Sequence, residues 1–186
     1  SKLEEVSQRH PGIRTTTKPK DVLQNPEIDL VSVATPDNLH AEQVLAAIEA
    51  DQHVFVEKPM CLNWDELNEI EDRLKQHTSV RLSSNMVLRL SSRFEEIKKR
   101  IEAGDLGDLY YLEGDYQYGR LEKLTSGWRG QIPFYSVMLG GGIHMVDLLL
   151  WMTGEKVSKV TTVGNAICTE NSNFRYQDCV VALLEM

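Results

Sequence analysis

Glu57-Lys58-Pro59 follows directly on the apolar run His53-Val54-Phe55-Val56. A lysine at the end of a buried strand is poorly placed for packing and well placed for a ligand. Open α/β sheets bind ligands outside the carboxyl ends of their strands, and β/α barrels carry their active sites at the same end. Proline restricts its own φ and keeps the residue before it extended, which gives Lys58 a fixed direction. A lysine so placed can stabilise a developing alkoxide or form a Schiff base, and the residues leave both open. Two neighbouring runs end in polar groups as well: Asp29-Leu30-Val31-Ser32-Val33-Ala34 in Thr35-Pro36-Asp37-Asn38, and Val80-Arg81-Leu82-Ser83-Ser84 in Asn85.

The segments between these runs carry helical spacing, with Ala41, Val44, Leu45 and Ile48 on one face and Leu67, Ile70 and Leu74 on another. Asn63 with Glu66 three residues on marks the start of the second helix. Strands alternating with helices of this length predict parallel crossover units, uniformly apolar strands and three strand ends facing the same way. After Asn85 the pattern changes, and a domain boundary is expected near residue 87. Ser92-x-x-Glu95 predicts a helix start, with Phe94, Ile97 and Ile101 on one face and Gly104 at the end. Tyr110, Leu112, Gly114, Tyr116 and Tyr118 alternate with more polar residues, predicting a long strand with one buried face. Residues 119–133 read as a loop carrying Trp128-Arg129. Phe134-Tyr135 follows, then Gly140-Gly141-Gly142 and an apolar helix, Ile143 to Thr153, expected to be buried nearly all round. His144 lies on it one turn after Gly140 and one turn before Asp147. Both ends of the chain look cut: it opens on a helical pattern and stops in the strand-like run 180–186.

The 186 residues carry a net charge of −8 and no basic stripe, which argues against a nucleic-acid partner. The three cysteines, Cys61, Cys168 and Cys179, are an odd number without Cys-x-x-Cys spacing, so neither a disulfide framework nor a metal site is suggested. Reduced thiols fit a cytoplasmic protein. The apolar stretch around Leu148 to Trp151 is too short to span a membrane.

Three blocks in this order and at this spacing resemble the glucose-fructose oxidoreductase/inositol dehydrogenase/MocA (Gfo/Idh/MocA) family. They are Ala34-Thr35-Pro36-Asp37-Asn38-Leu39-His40-Ala41-Glu42, Val56-Glu57-Lys58-Pro59 and Gly141-Gly142-Ile143-His144-Met145-Val146-Asp147-Leu148. The resemblance implies an α/β chain: residues 1–87 would be the C-terminal part of a Rossmann NAD(P)-binding domain with a parallel sheet. Residues 88–186 would be the N-terminal part of an α+β substrate-binding and oligomerisation domain with a large, mostly antiparallel open sheet. It further implies hydride transfer between NAD or NADP and a hydroxyl carbon of a sugar, sugar nucleotide or cyclitol, with a homo-oligomer formed through the second-domain sheet.

Carried over by position, the resemblance assigns Thr35, Pro36, Asn38 and His40 to the wall of the cofactor crevice. Glu57 and Pro59 would flank the nicotinamide, Lys58 would hydrogen-bond the reacting oxygen, and Asn85 would lie near cofactor and substrate. His144 would be acid/base or a substrate contact. Two departures stand out. The glycine fingerprint and the ribose-binding acid of the family are absent from residues 1–186. Gly140 stands where many members carry an aspartate, which makes Tyr135 a candidate substitute proton carrier.

Blander readings stand beside these. His40, near a helix start, either bonds backbone or lines the cofactor crevice; Trp128 and Arg129 line a substrate pocket or pack their loop; Asp147 contacts substrate or holds a neighbouring segment. The chemistry is coherent, since alcohol oxidation needs a cation at the developing alkoxide and a base near neutral pH. A lysine lowered in pKa by burial can serve both needs, and histidine is the natural second member. Two rival readings are a β/α-barrel aldolase forming a Schiff base through Lys58 and a non-catalytic relative that binds a dinucleotide or sugar.

Overall fold

The computed structural model describes residues 1–132 and 134–186, and at Trp128 the backbone alone. The chain divides into two compact units, Ser1–Asn85 and Met86–Met186.

In the first unit, α1 (Lys2–Arg9) and α2 (Lys20–Leu23) precede β1 (Leu30–Val33), α3 (His40–Glu49), β2 (His53–Val56), α4 (Trp64–Gln76) and β3 (Leu82–Ser84). The three strands form one parallel sheet in the order β1-β2-β3, with Val33 opposite Val56 and Val56 opposite Ser84. The pairing runs one residue past the strands, Glu57 N–H donating to Val33 O and Asn85 N–H to Val56 O, both at 2.8 Å. The strand ends are therefore level. Val31, Val33, Val54 and Val56 point to one face, where Ala41, Val44, Ala47 and Ile48 of α3 and Ile70 of α4 complete the core.

The strands are not uniformly apolar and buried as expected: only alternate residues are buried, and Leu30 is 60% and Phe55 39% exposed on the other side. Side chains alternate across a strand, and the core gathers the residues of one face only. Burying one valine of this kind is worth about 1.5–3 kcal/mol and a helix cap about 1 kcal/mol, so the core places the strands while caps only set where helices begin. Asn63 is such a cap for α4: its side chain accepts from Glu66 N–H at 2.9 Å, and Glu66 Oε2 accepts from Leu62 N–H at 2.7 Å.

In the second unit, a 3₁₀ turn (Val87–Leu90) leads into α5 (Ser92–Glu102), followed by α6 (Leu121–Thr125), α7 (Trp128–Gln131), a π turn (Met138–Gly142), α8 (Ile143–Thr153), β4 (Lys159–Asn165) and β5 (Cys179–Glu185). The two strands pair antiparallel, Val163 opposite Val181. Four expectations are corrected here. Residues 110–118 form no strand, because β4 pairs with β5 and no described strand offers 110–118 a ladder. Instead Gly114 and Tyr116 lie against α8, a Cβ on Gly114 meeting Met145 Sδ at 3.4 Å and the Tyr116 ring facing His144. The expected loop 119–133 contains the short helices α6 and α7. The capping box at Ser92 and Glu95 is not made: Ser91 is the N-cap, without a side-chain bond. Finally, α8 buries only the stripe His144, Leu148 and Met152, because one face of it meets the packed interior.

Candidate active site

At the carboxyl ends of β1, β2 and β3 the first unit gathers Thr35, Glu57, Lys58, Pro59 and Asn85. Side-chain contacts from Asn85, Thr35 and His40 tie the strand ends to one another and to α3. Asn85 Nδ2 donates to Glu57 Oε1 at 2.7 Å, which joins β3 to the loop after β2. Thr35 Oγ1 donates to Gln43 Oε1 on α3 at 3.1 Å. His40 reaches two backbone carbonyls, with Nδ1 at 2.7 Å from Pro59 O and Nε2 at 2.8 Å from Thr35 O. Pro59 is fully buried, whereas Glu57 and Lys58 are half-buried, so the loop is anchored on one side and presents its charged groups on the other. The Lys58–Pro59 peptide is cis. Pro36 and Asn38 belong to the turn that follows β1, and Asn38 lies in the single 3₁₀ turn Asp37–Leu39 before α3. The sequence left His40 between bonding backbone and lining the crevice; the structure puts it 1% exposed with both ring nitrogens facing backbone carbonyls.

The second unit builds a separate constellation around the π turn. Tyr135 is buried, its ring facing the Arg129 guanidinium at 5.4 Å, and its hydroxyl lies against Gly140. A Cβ on Gly141 would meet Tyr116 Cε1 at 2.7 Å, so the two glycines seat two tyrosines. The Tyr116 ring stacks on that of His144 at 6.3 Å and 27°, within the range of favourable aromatic pairs. A cavity of about 670 Å³ opens here, lined by Tyr116, Tyr118, Tyr135, Gly140, Gly141 and Leu184 among others. Asp147 is engaged by Arg89, whose Nε and Nη2 donate to its two carboxylate oxygens at 2.9 and 2.5 Å. This charge-assisted fork holds Arg89 protonated above its ordinary range. The side chain of Trp128 lies outside the described residues. Sequence reasoning missed Tyr116 and Arg89 as partners of His144 and Asp147. Tyrosine instead of an aliphatic residue at 116 was the available signal, absorbed there into a strand pattern.

Residues 1–85 match the family described as an oxidoreductase family with an NAD-binding Rossmann fold, and residues 94–186 match the Gfo/Idh/MocA C-terminal domain. The chain belongs to the Gfo/Idh/MocA oxidoreductase family. It is 26% identical over 175 residues to a myo-inositol 2-dehydrogenase of Thermotoga maritima, covering 91% of this chain and 49% of that protein. It is 32% identical over 155 residues to an NADP(+) scyllo-inositol 2-dehydrogenase of Bacillus subtilis, covering 83% of this chain and 43% of that protein. The crystal structure of a myo-inositol 2-dehydrogenase from Lactobacillus plantarum has the same fold, with a TM-score of 0.85 at 24% identity over 98% of this chain and 55% of that one. The chain spans about half the length of the curated relatives it matches. Membership of the Gfo/Idh/MocA family, with its Rossmann fold, replaces the barrel-aldolase reading of Lys58. Among the described residues no helix is long and apolar enough to cross a membrane.

Proposed function

We propose that this protein oxidises a hydroxyl-bearing carbon of a sugar, sugar nucleotide or cyclitol, or reduces the matching ketone, with NAD or NADP as the partner. The observation that carries the reading is the level set of strand ends at which Asn85, Glu57 and the Lys58 loop are held together. A polar crevice at the carboxyl end of a parallel sheet suits a nicotinamide cofactor, and Thr35, Pro36, Asn38, Glu57, Pro59 and Asn85 would line it. Bound there, NAD(P) supplies the hydride acceptor and donor.

The chain's own residues handle the proton and the charge. The Lys58 ammonium donates a hydrogen bond to the reacting oxygen and stabilises the alkoxide that develops as hydride leaves carbon. His144 accepts the hydroxyl proton in oxidation and returns it in reduction, with Tyr116 stacked on its ring to fix the imidazole plane. Tyr135 is the second proton carrier, seated where a side chain at 140 would otherwise begin. Arg129 lines the substrate side through Tyr135, and Asp147 holds Arg89 against α8, leaving substrate contact to its neighbours.

The outward face of the β4–β5 sheet, with Val163, Val181 and Leu183 all more than half exposed, supports self-association of the full-length protein. Free cysteines support a reducing, cytoplasmic compartment. The test is steady-state turnover of the full-length protein with NAD(H) and NADP(H) against inositols, hexoses and sugar nucleotides. Cofactor-dependent oxidation of at least one polyol is expected; saturable binding of cofactor and sugar with no turnover across the panel would establish the non-catalytic reading instead.

A further inference from the structure

We infer, on the proton role proposed for His144, that Arg89 is its positioning residue: the two-point fork of Arg89 on Asp147 sets the rotation of α8 and with it the direction of the imidazole. His144 is the second residue of α8, and the start of that helix has no side-chain cap, Gly142 standing at the N-cap behind Gly140 and Gly141. A glycine entry offers no side chain of its own to fix how the helix is turned, so the rotation is left to contacts made further along. The buried stripe His144, Leu148 and Met152 draws one face of α8 inward, but apolar burial is not directional. Asp147 lies one turn after His144, its side chain only 12% exposed. Arg89 Nε and Nη2 donate to its Oδ2 and Oδ1 at 2.9 and 2.5 Å. Two parallel bonds between planar groups fix orientation as well as distance.

Arg89 comes from the 3₁₀ turn Val87–Leu90, none of whose residues is buried, Val87 and Leu90 being 45% and 80% exposed. A turn so sparsely covered gains little from apolar burial, and the fork supplies its directed attachment to α8. A second anchor sits further along the helix. Lys98 of α5 donates to Trp151 O at 2.9 Å, and its ammonium stands 5.2 Å from the centroid of the Trp151 ring. Trp151 lies about two turns past His144, whereas Asp147 lies one. A helix that pivots on its far anchor moves most at its near end, so the fork and not Lys98 governs where the imidazole points. Tyr116, stacked on that imidazole at 6.3 Å and 27°, gives the orientation a spectroscopic signature.

Arg89→Lys in the full-length protein keeps the positive charge and drops the fork, because an ammonium is a point charge. It should retain most of the stability in chemical denaturation while kcat falls about 10-fold or more and KM for NAD(P) stays within about 2-fold. Asp147→Asn, which breaks the fork from the other side and leaves no buried charge behind, should lower kcat in the same way. Unchanged kcat in either variant, with or without a raised cofactor KM, overturns the positioning role. Lys98→Gln, which removes the far anchor, should change kcat by less than about 2-fold. A loss as large as that of Arg89→Lys would show that any loosening of α8 lowers the rate, and it overturns the role of the fork. A further measurement needs no turnover: the imidazole proton resonances of His144, displaced by the Tyr116 ring current, should move in Arg89→Lys and stay in place in Lys98→Gln. Unmoved His144 resonances in Arg89→Lys overturn the inference even if the wild type proves inactive, whereas inactivity alone removes only the proposed function.

Discussion

The hydroxyl of Tyr135 occupies the space in which a side chain on Gly140 would have to begin. A Cβ built on Gly140 overlaps that hydroxyl and comes within 2.8 Å of ring carbon Cε2. Both residues are buried, and Arg129 faces the ring, so the phenol cannot swing out to solvent cheaply. Glycine is required at 140 for space, and the oxygen next to it comes from a residue five positions earlier.

Gly140→Asp should therefore destabilise the protein by about 1–3 kcal/mol in chemical denaturation, as overpacking of a filled interior does. Tyr135→Ala, which empties the space, should relieve part of that cost, giving a coupling energy of about 1 kcal/mol or more in a double-mutant cycle. Additive effects of the two substitutions would show that the contact does not restrict residue 140.

Lys58→Met retains apolar volume and deletes the charge held at the end of β2. In the full-length enzyme kcat/KM should drop by the equivalent of about 3 kcal/mol or more, as when an oxyanion donor is removed, with cofactor binding nearly intact by titration calorimetry. Retention of most of the activity would remove Lys58 from the mechanism.

The two proton carriers proposed in the second unit are separable by rate. His144→Gln should lower the maximal rate far more than Tyr135→Phe, and the alkaline rise of the oxidation rate should vanish with it. The opposite ranking transfers the proton to Tyr135, and two silent substitutions leave Lys58 as the sole catalytic group.

Cys61 carries a pH prediction. Burial, and then the nearby Glu66 carboxylate, push its thiol above the ordinary cysteine value, while Cys168 and Cys179 are exposed. The thiolate is the nucleophile, so iodoacetamide should label Cys61 last at mildly alkaline pH, and Glu66→Gln should speed its labelling. The folded state holds this proton more tightly than the unfolded chain does. Its stabilising contribution is thus complete at neutral pH and fades as pH climbs through the raised value. Mass spectrometry showing Cys61 labelled as fast as the other two would contradict this environment.

What the sequence determined was local. The runs 29–34, 53–56 and 80–84, the helices between them and the Asn63 cap were legible because apolar periodicity and capping act within a few residues. The three blocks of residues that carry the family resemblance were legible because each is a contiguous run. Tertiary structure alone decided whether 110–118 became a strand, since a ladder needs a partner and alternation records only a wish for one buried face. It alone decided that His40 meets the Pro59 carbonyl nineteen residues away and that Arg89 takes Asp147 fifty-eight residues away. Such bonds depend on where distant segments are brought by the core. No spacing in the chain encodes them.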